Sequence, residues 1–101
     1  NIESIYPDLI EIGIDAVNSQ LFCMDMERLG WEYAGKITFW GEIDRQNILP
    51  FGKPEDVRAG VRRAANALTK DKKTGVIAQC EWGIKDPKEN IMAVFDEWNK
   101  I

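Results

Sequence analysis

The 101 residues read as an α/β chain of about three βα units with parallel strands. Three observations predict this. Four stretches repeat apolar residues at helical spacing, three short runs between them are β-branched or aromatic, and most of the links are short. Helix and strand alternating in this way imply parallel strands joined by right-handed helical crossovers.

Each element has its own reason. Residues 4 to 12 place Ile5, Leu9 and Ile12 on one helical stripe, with Tyr6 and Ile10 beside it. Pro7 is compatible because it falls in the first turn, and Gly13 suits the left-handed position just past a helix end. Residues 14 to 18 follow as a short strand. Residues 24 to 34 form a second helix with Met26, Leu29 and Tyr33 inward, weakened by about 1 kcal/mol at Gly30 relative to Ala. Trp31 and Trp98 lie on helices and are expected in the core. Residues 36 to 40, "KITFW", form the second strand, and "GEIDRQNILPFGK" is a loop.

The third helix begins at Pro54, which suits a first helical position, while Glu55 and Asp56 complement the positive helix end. Val57, Val61, Ala64 and Leu68 are its buried stripe. "KDKKTG" is a charged turn, and residues 76 to 79 are the third strand. The last helix takes Asp86 as N-cap, Pro87 in its first turn and Glu89 as the partner of an acidic capping box. Its stripe is Ile91, Phe95 and Trp98, helped by Met92 and Val94.

The composition is that of one small domain, 45% hydrophobic and 30% charged. A net charge of −4 without a basic run argues against nucleic acid, which requires clustered Lys and Arg. Arg58, Arg62 and Arg63 recur at helical spacing and read as a solvated helix face. No apolar run approaches the roughly 20 residues that span a bilayer, and no signal-peptide pattern is visible. A cytoplasmic setting with no membrane partner is expected. Cys23 and Cys80 follow no paired-cysteine spacing and read as thiols in a reducing compartment. Histidine is absent, which removes a His-based catalytic dyad or triad and the commonest zinc ligand. The sequence opens without Met, directly on a helical pattern, as a piece of something longer would.

Parallel strands put their C-terminal ends on one face, where ligands of α/β folds bind. Those ends carry Asn18, Ser19 and Gln20; Trp40, Glu42 and Asp44; and Gln79, Cys80, Glu81 and Trp82. Glu42, Asp44 and Glu81 would suit acid–base work or metal binding, and Trp82 would wall an apolar pocket. Asn18, Gln20, Trp40 and Gln79 would hold a small-molecule substrate. Polar residues at half-exposed strand ends are equally what any such fold presents, so surface positions stand as the competing reading.

Three stretches, "PDLIEIGIDAVNSQ" (7 to 20), "ITFWGEIDRQNILPFGKPEDVRAGVRR" (37 to 63) and "GVIAQCEWGIKDPKENIMAVF" (75 to 95), together resemble the uroporphyrinogen decarboxylase superfamily. The central stretch carries most of the likeness. It has a Trp-Gly strand end, an Ile-Asp, then Leu-Pro-Phe-Gly and a Pro-Glu helix start. The resemblance implies a (β/α)8 barrel of which these residues are the C-terminal part, inactive alone. One branch removes acetate carboxyl groups from a porphyrinogen without a cofactor. A second branch transfers methyl groups from a donor or corrinoid protein and uses zinc to activate a thiol.

Trp82 stands where the decarboxylases carry the histidine of a Gly-His-Gly element. Cys80 lies seven residues before Pro87, the spacing of a zinc Cys in the methyltransferases. Glu42 replaces a common glycine, and its charge would disfavour an anionic porphyrinogen. A third reading is a non-catalytic structural fragment. Its open sheet edges and barrel-facing apolar side chains would make it self-associate.

Overall fold

The computed structural model describes residues 2–69 and 75–101, and of Glu42 the backbone. Most of the charged turn at 70–75 lies outside the described residues. Three parallel strands, β1 (Ala16–Asn18), β2 (Thr38–Glu42) and β3 (Val76–Gln79), form one sheet in the order β1-β2-β3. Asn18 sits opposite Trp40, and Trp40 opposite Ile77. The helices are α1 (Tyr6–Glu11), α2 (Met26–Tyr33), α3 (Ile48–Phe51), α4 (Pro54–Leu68) and α5 (Lys88–Asn99). Single 3-10 turns precede α1 and α2 at Glu3–Ile5 and Leu21–Cys23.

Alternation along the strands separates two faces. Val17, Phe39 and Val76 point toward the helices. Phe39, fully buried, packs with Tyr6 of α1, Met26 and Leu29 of α2, and Ala64 and Leu68 of α4. A second cluster joins Ile43, Leu49, Val57, Val61, Ala93 and Val94 where α3, α4 and α5 meet. The opposite face carries Asn18, Trp40, Ile77 and Gln79. Among the described residues nothing covers it, and Trp40 and Ile77 are 38% and 43% exposed.

The third helix matches its expected stripe: Val57, Val61, Ala64 and Leu68 are all buried. The second strand runs two residues later than expected, at 38–42, because Phe39 and Gly41 bond to β3 only in that register. The presumed loop at 41–53 contains the short helix α3, anchored by Leu49.

Two helices are rotated from their expected faces. In α1 the buried side chain is Tyr6, while Ile5 and Ile12 are exposed. Tyr6 stacks on Phe39 and Tyr33, and its hydroxyl meets Ser19 Oγ at 2.9 Å. One buried aromatic with a satisfied hydroxyl removes more apolar area than either isoleucine. In α5 the buried residues are Asn90, Ala93, Val94 and Glu97, and Phe95 is exposed. Asn90 Nδ2 donates to the Leu49 and Gly52 carbonyls, both at 2.8 Å. Glu97 accepts from Arg58 and Arg62 of α4. Polar partners thus draw a polar stripe inward.

Three local expectations also change. Asp86 does not cap α5; its carboxylate accepts from the Gly83 N–H at 2.7 Å and closes the turn before the helix. Trp31, expected in the core, is 89% exposed on the outer side of α2, whereas Trp98 packs against both clusters. Arg58, Arg62 and Arg63 are tied down rather than merely solvated. Arg58 pairs with Asp96 and Glu97, Arg62 with Glu97, and Arg63 with Glu27, which links α2, α4 and α5.

Candidate functional site at the strand ends

The parallel register delivers all three strand C-termini to one side of the sheet. The chain leaving β1 continues into the Leu21–Cys23 turn, after the Ser19 N–H donates to the Trp40 carbonyl at 3.0 Å. Gly41 makes this crossing possible. A Cβ there would lie 2.6 Å from Leu21 Cδ1 and 2.7 Å from the Ser19 carbonyl oxygen. Only a bare backbone lets the β1 exit pass that close.

The chain leaving β2 is shaped by Asp44. Its Oδ1 accepts from the Gln46 and Asn47 N–H groups at 3.0 and 3.1 Å, and Oδ2 faces Asn47 Nδ2 at 3.4 Å. Its backbone carbonyl accepts from Ile48 and Leu49. This is an aspartate holding a turn ahead of a short helix. Arg45, next in sequence, reaches across to β3, where its Nη1 lies 3.1 Å from Glu81 Oε2. Both side chains are exposed, so the pair fixes proximity more than it adds stability. Arg45 is not among the residues that the strand-end pattern singles out. The signal available was its place beside Asp44 in "EIDRQ", within a strand-end loop.

The expected residues fall into three groups. Asn18, Trp40 and Gln79 share the uncovered sheet face, with Asn18 and Ile77 flanking the Trp40 indole in register. Gln79 Oε1 is buried and has no hydrogen-bond partner among the described residues. Asp44 and Glu81, with Arg45, stand at the strand ends, and Gln20 beside them accepts from the Cys23 thiol at 3.4 Å. A small crevice lined by Gln20, Cys23, Ile43, Asp44 and Arg45 joins the exits of β1 and β2. Cys80 and Trp82 belong to the helical side. Cys80 packs against the cluster around Ile43 and Val57, and Trp82 meets Phe95 edge-on with centroids 6.0 Å apart. The Glu42 side chain lies outside the described residues; its backbone pairs with Gln79.

Among the described residues no three His, Cys, Asp or Glu side chains converge. Zinc requires a closed set of three or four such ligands. The residues described around Cys80 therefore do not make a zinc site by themselves. Among the described residues no helix is long and apolar enough to cross a membrane. No protein-family model, no curated protein and no solved structure matches this chain.

Proposed function

We propose that these residues are three consecutive βα units of a (β/α)8 barrel of the uroporphyrinogen decarboxylase type, with the strand ends forming part of its mouth. One observation carries the reading. The strands follow in sequential order with their helices on one face, and the other face is left uncovered with Asn18, Trp40, Ile77 and Gln79 on it. A doubly wound sheet reverses its strand order and covers both faces, whereas a barrel wall keeps its helices outside and its other face inside.

In this reading the Trp40 indole gives a ring substrate an apolar surface. Asn18 supplies a polar contact beside it, and Arg45 offers a cation to a substrate carboxylate in exchange with Glu81. Each acetate side chain then loses carbon dioxide at the C–C bond and gains a proton, which leaves a methyl group. Trp82, where these decarboxylases carry histidine, lies against Phe95 and has no proton to exchange near neutral pH, so this chain would not use that position for acid–base chemistry.

The test is turnover of uroporphyrinogen by the intact protein that carries these residues, under anaerobic conditions, with products separated by carboxylate number. The reading expects stepwise conversion to the four-carboxylate product without added metal. No conversion would overturn it. One zinc per chain, lost in Cys80→Ser, together with methyl transfer to a thiol would assign the protein to the methyltransferase branch.

A further inference from the structure

Two depressions lie end to end along one side of α4, on the helical side of the sheet. The first, about 570 Å3, is lined by Gly30 and Ala34 of α2 and Ala67 of α4, with Trp31 beside them. The second, about 480 Å3, lies between α3 and α4 at Ala59 and Gly60, with Phe22 and Phe51 as its walls. The α4 residues that line them, at 56, 59, 60 and 63 and then at 66 and 67, recur at helical spacing, so the two make one continuous groove. An ion pair bridges its middle. Arg63 Nε and Nη2 donate to Glu27 at 3.0 and 2.7 Å, and the same guanidinium lies 5.6 Å from the centre of the Phe22 ring. Residues 22 to 67 build this face, so neither sheet edge takes part in it.

We infer that the groove is a self-association surface. A second copy of the chain seats on it about a twofold axis at the Arg63–Glu27 pair, with the two α4 helices antiparallel. Shape argues for this occupant. Each end of the groove sets an exposed aromatic beside small residues: Trp31 is 89% and Phe51 82% exposed. Knob and hollow side by side on one face are what a self-complementary contact requires. About the axis, Trp31 of one copy fills the hollow at Ala59 and Gly60 of the other, and Phe51 fills the hollow at Gly30, Ala34 and Ala67.

Charge argues for the same occupant. The axis sets each Arg63 against the second copy's Glu27 as well as its own, so four charges alternate in sign. Asp56, the remaining charged residue of the groove, lies about 10 Å along α4 from Arg63, and its carboxylate accepts from the Lys53 N–H at 2.8 Å. Antiparallel packing places it against the neutral Asn66 end of the second copy, so no like charges meet. A groove with one base and two acids gives a polyanion nothing to neutralise. The area suffices as well. Four aromatic side chains, two from each copy, bury about 150–250 Å2 each. With an equal area of the hollows they cover, the total is roughly 1,200–2,000 Å2, the standard size of a stable interface.

The experiment is sedimentation, or light scattering coupled to size exclusion, of the 101-residue chain with a thiol reductant, across micromolar to sub-millimolar concentration. The expected mass rises from 11.5 kDa to twice that value and stops, because a twofold contact closes on itself. Trp31→Ser and Phe51→Ser change exposed side chains, so each variant keeps the wild-type far-ultraviolet circular dichroism spectrum. Each should weaken the dimer by about tenfold or more, the size of a lost aromatic anchor. Glu27→Arg and Arg63→Glu each set like charges across the axis, and each alone should stay monomeric. Mixed in equal amounts the two should pair, because each then meets the opposite charge in the other. A wild-type chain that stays monomeric overturns the proposal. So does a mass that grows past two copies, or a dimer indifferent to Trp31→Ser and to the charge reversals. The uncovered sheet face stays free in this dimer, so turnover tests the decarboxylase reading separately and neither result decides the other.

Discussion

At the scale of single residues, Gly30 shows how far a local rule reaches. By propensity alone it costs α2 about 1 kcal/mol, and alanine should stabilise the helix. In the folded chain a Cβ there would lie 1.6 Å from the Ala67 carbonyl oxygen and 2.7 Å from its carbon. The glycine is what lets α2 lie directly on α4. Backbone cannot rotate away as a side chain can, so overpacking outweighs propensity. Gly30→Ala should therefore lower stability by about 1–3 kcal/mol, read as a reduced urea midpoint; equal or greater stability would show that the helices can separate at no cost. The same limit explains Tyr6 and Asn90. Each sits in a helix whose most apolar stripe lies elsewhere, and each is held by partners distant in sequence: Ser19 Oγ meets the Tyr6 hydroxyl, and the Leu49 and Gly52 carbonyls accept from Asn90 Nδ2. Nothing in the local pattern announces those partners.

At the scale of elements, the helix most fully legible from sequence was α4. Its stripe is unbroken, and its start carries Pro54 and the Asp56 carboxylate that accepts from the Lys53 N–H at 2.8 Å. The α5 helix turns a different stripe inward from the one its apolar pattern predicts because the contact with α4 is electrostatic at its far end. Burial opposes the charge on Glu97, but the Arg62 and Arg58 guanidiniums outweigh it and hold its carboxyl below the ordinary range. Arg58 and then Lys100 hold Asp96 below its range as well. A carboxyl whose pKa is depressed by folding contributes stability above the ordinary carboxylate range and loses it as pH falls through the depressed value. The α4–α5 contact should accordingly loosen in acid. The urea midpoint should fall between pH 7 and pH 3, and the fall should be smaller in Glu97→Gln, which has no charge there to lose. An unchanged pH dependence in that variant would remove Glu97 from the lock.

At the scale of the whole molecule, alternation of helix and strand was enough to anticipate a parallel sheet, and the parallel sheet was enough to bring the strand ends to one side. The division of those ends between two faces was not legible. Gln79 and Cys80, being consecutive, point opposite ways, but which of them takes the helical face depends on register, because a one-residue slip exchanges the faces and short strands do not fix it alone. Pairing fixes it here, setting Phe39 against Val76 and Trp40 against Ile77, which puts Trp40 and Gln79 on the open face and Cys80 among the helices. The proposed mouth and the uncovered wall both require the strands to run the same way. Nuclear Overhauser contacts between the strands of the isolated chain test this most directly. Parallel pairing predicts contacts from the Phe39 amide to Gly75 and from the Ser19 amide to Trp40, without close α-proton pairs across either ladder. Strong α-proton to α-proton contacts between β1 and β2, or between β2 and β3, would establish an antiparallel pair and leave the strand-end residues on opposite sides of the sheet.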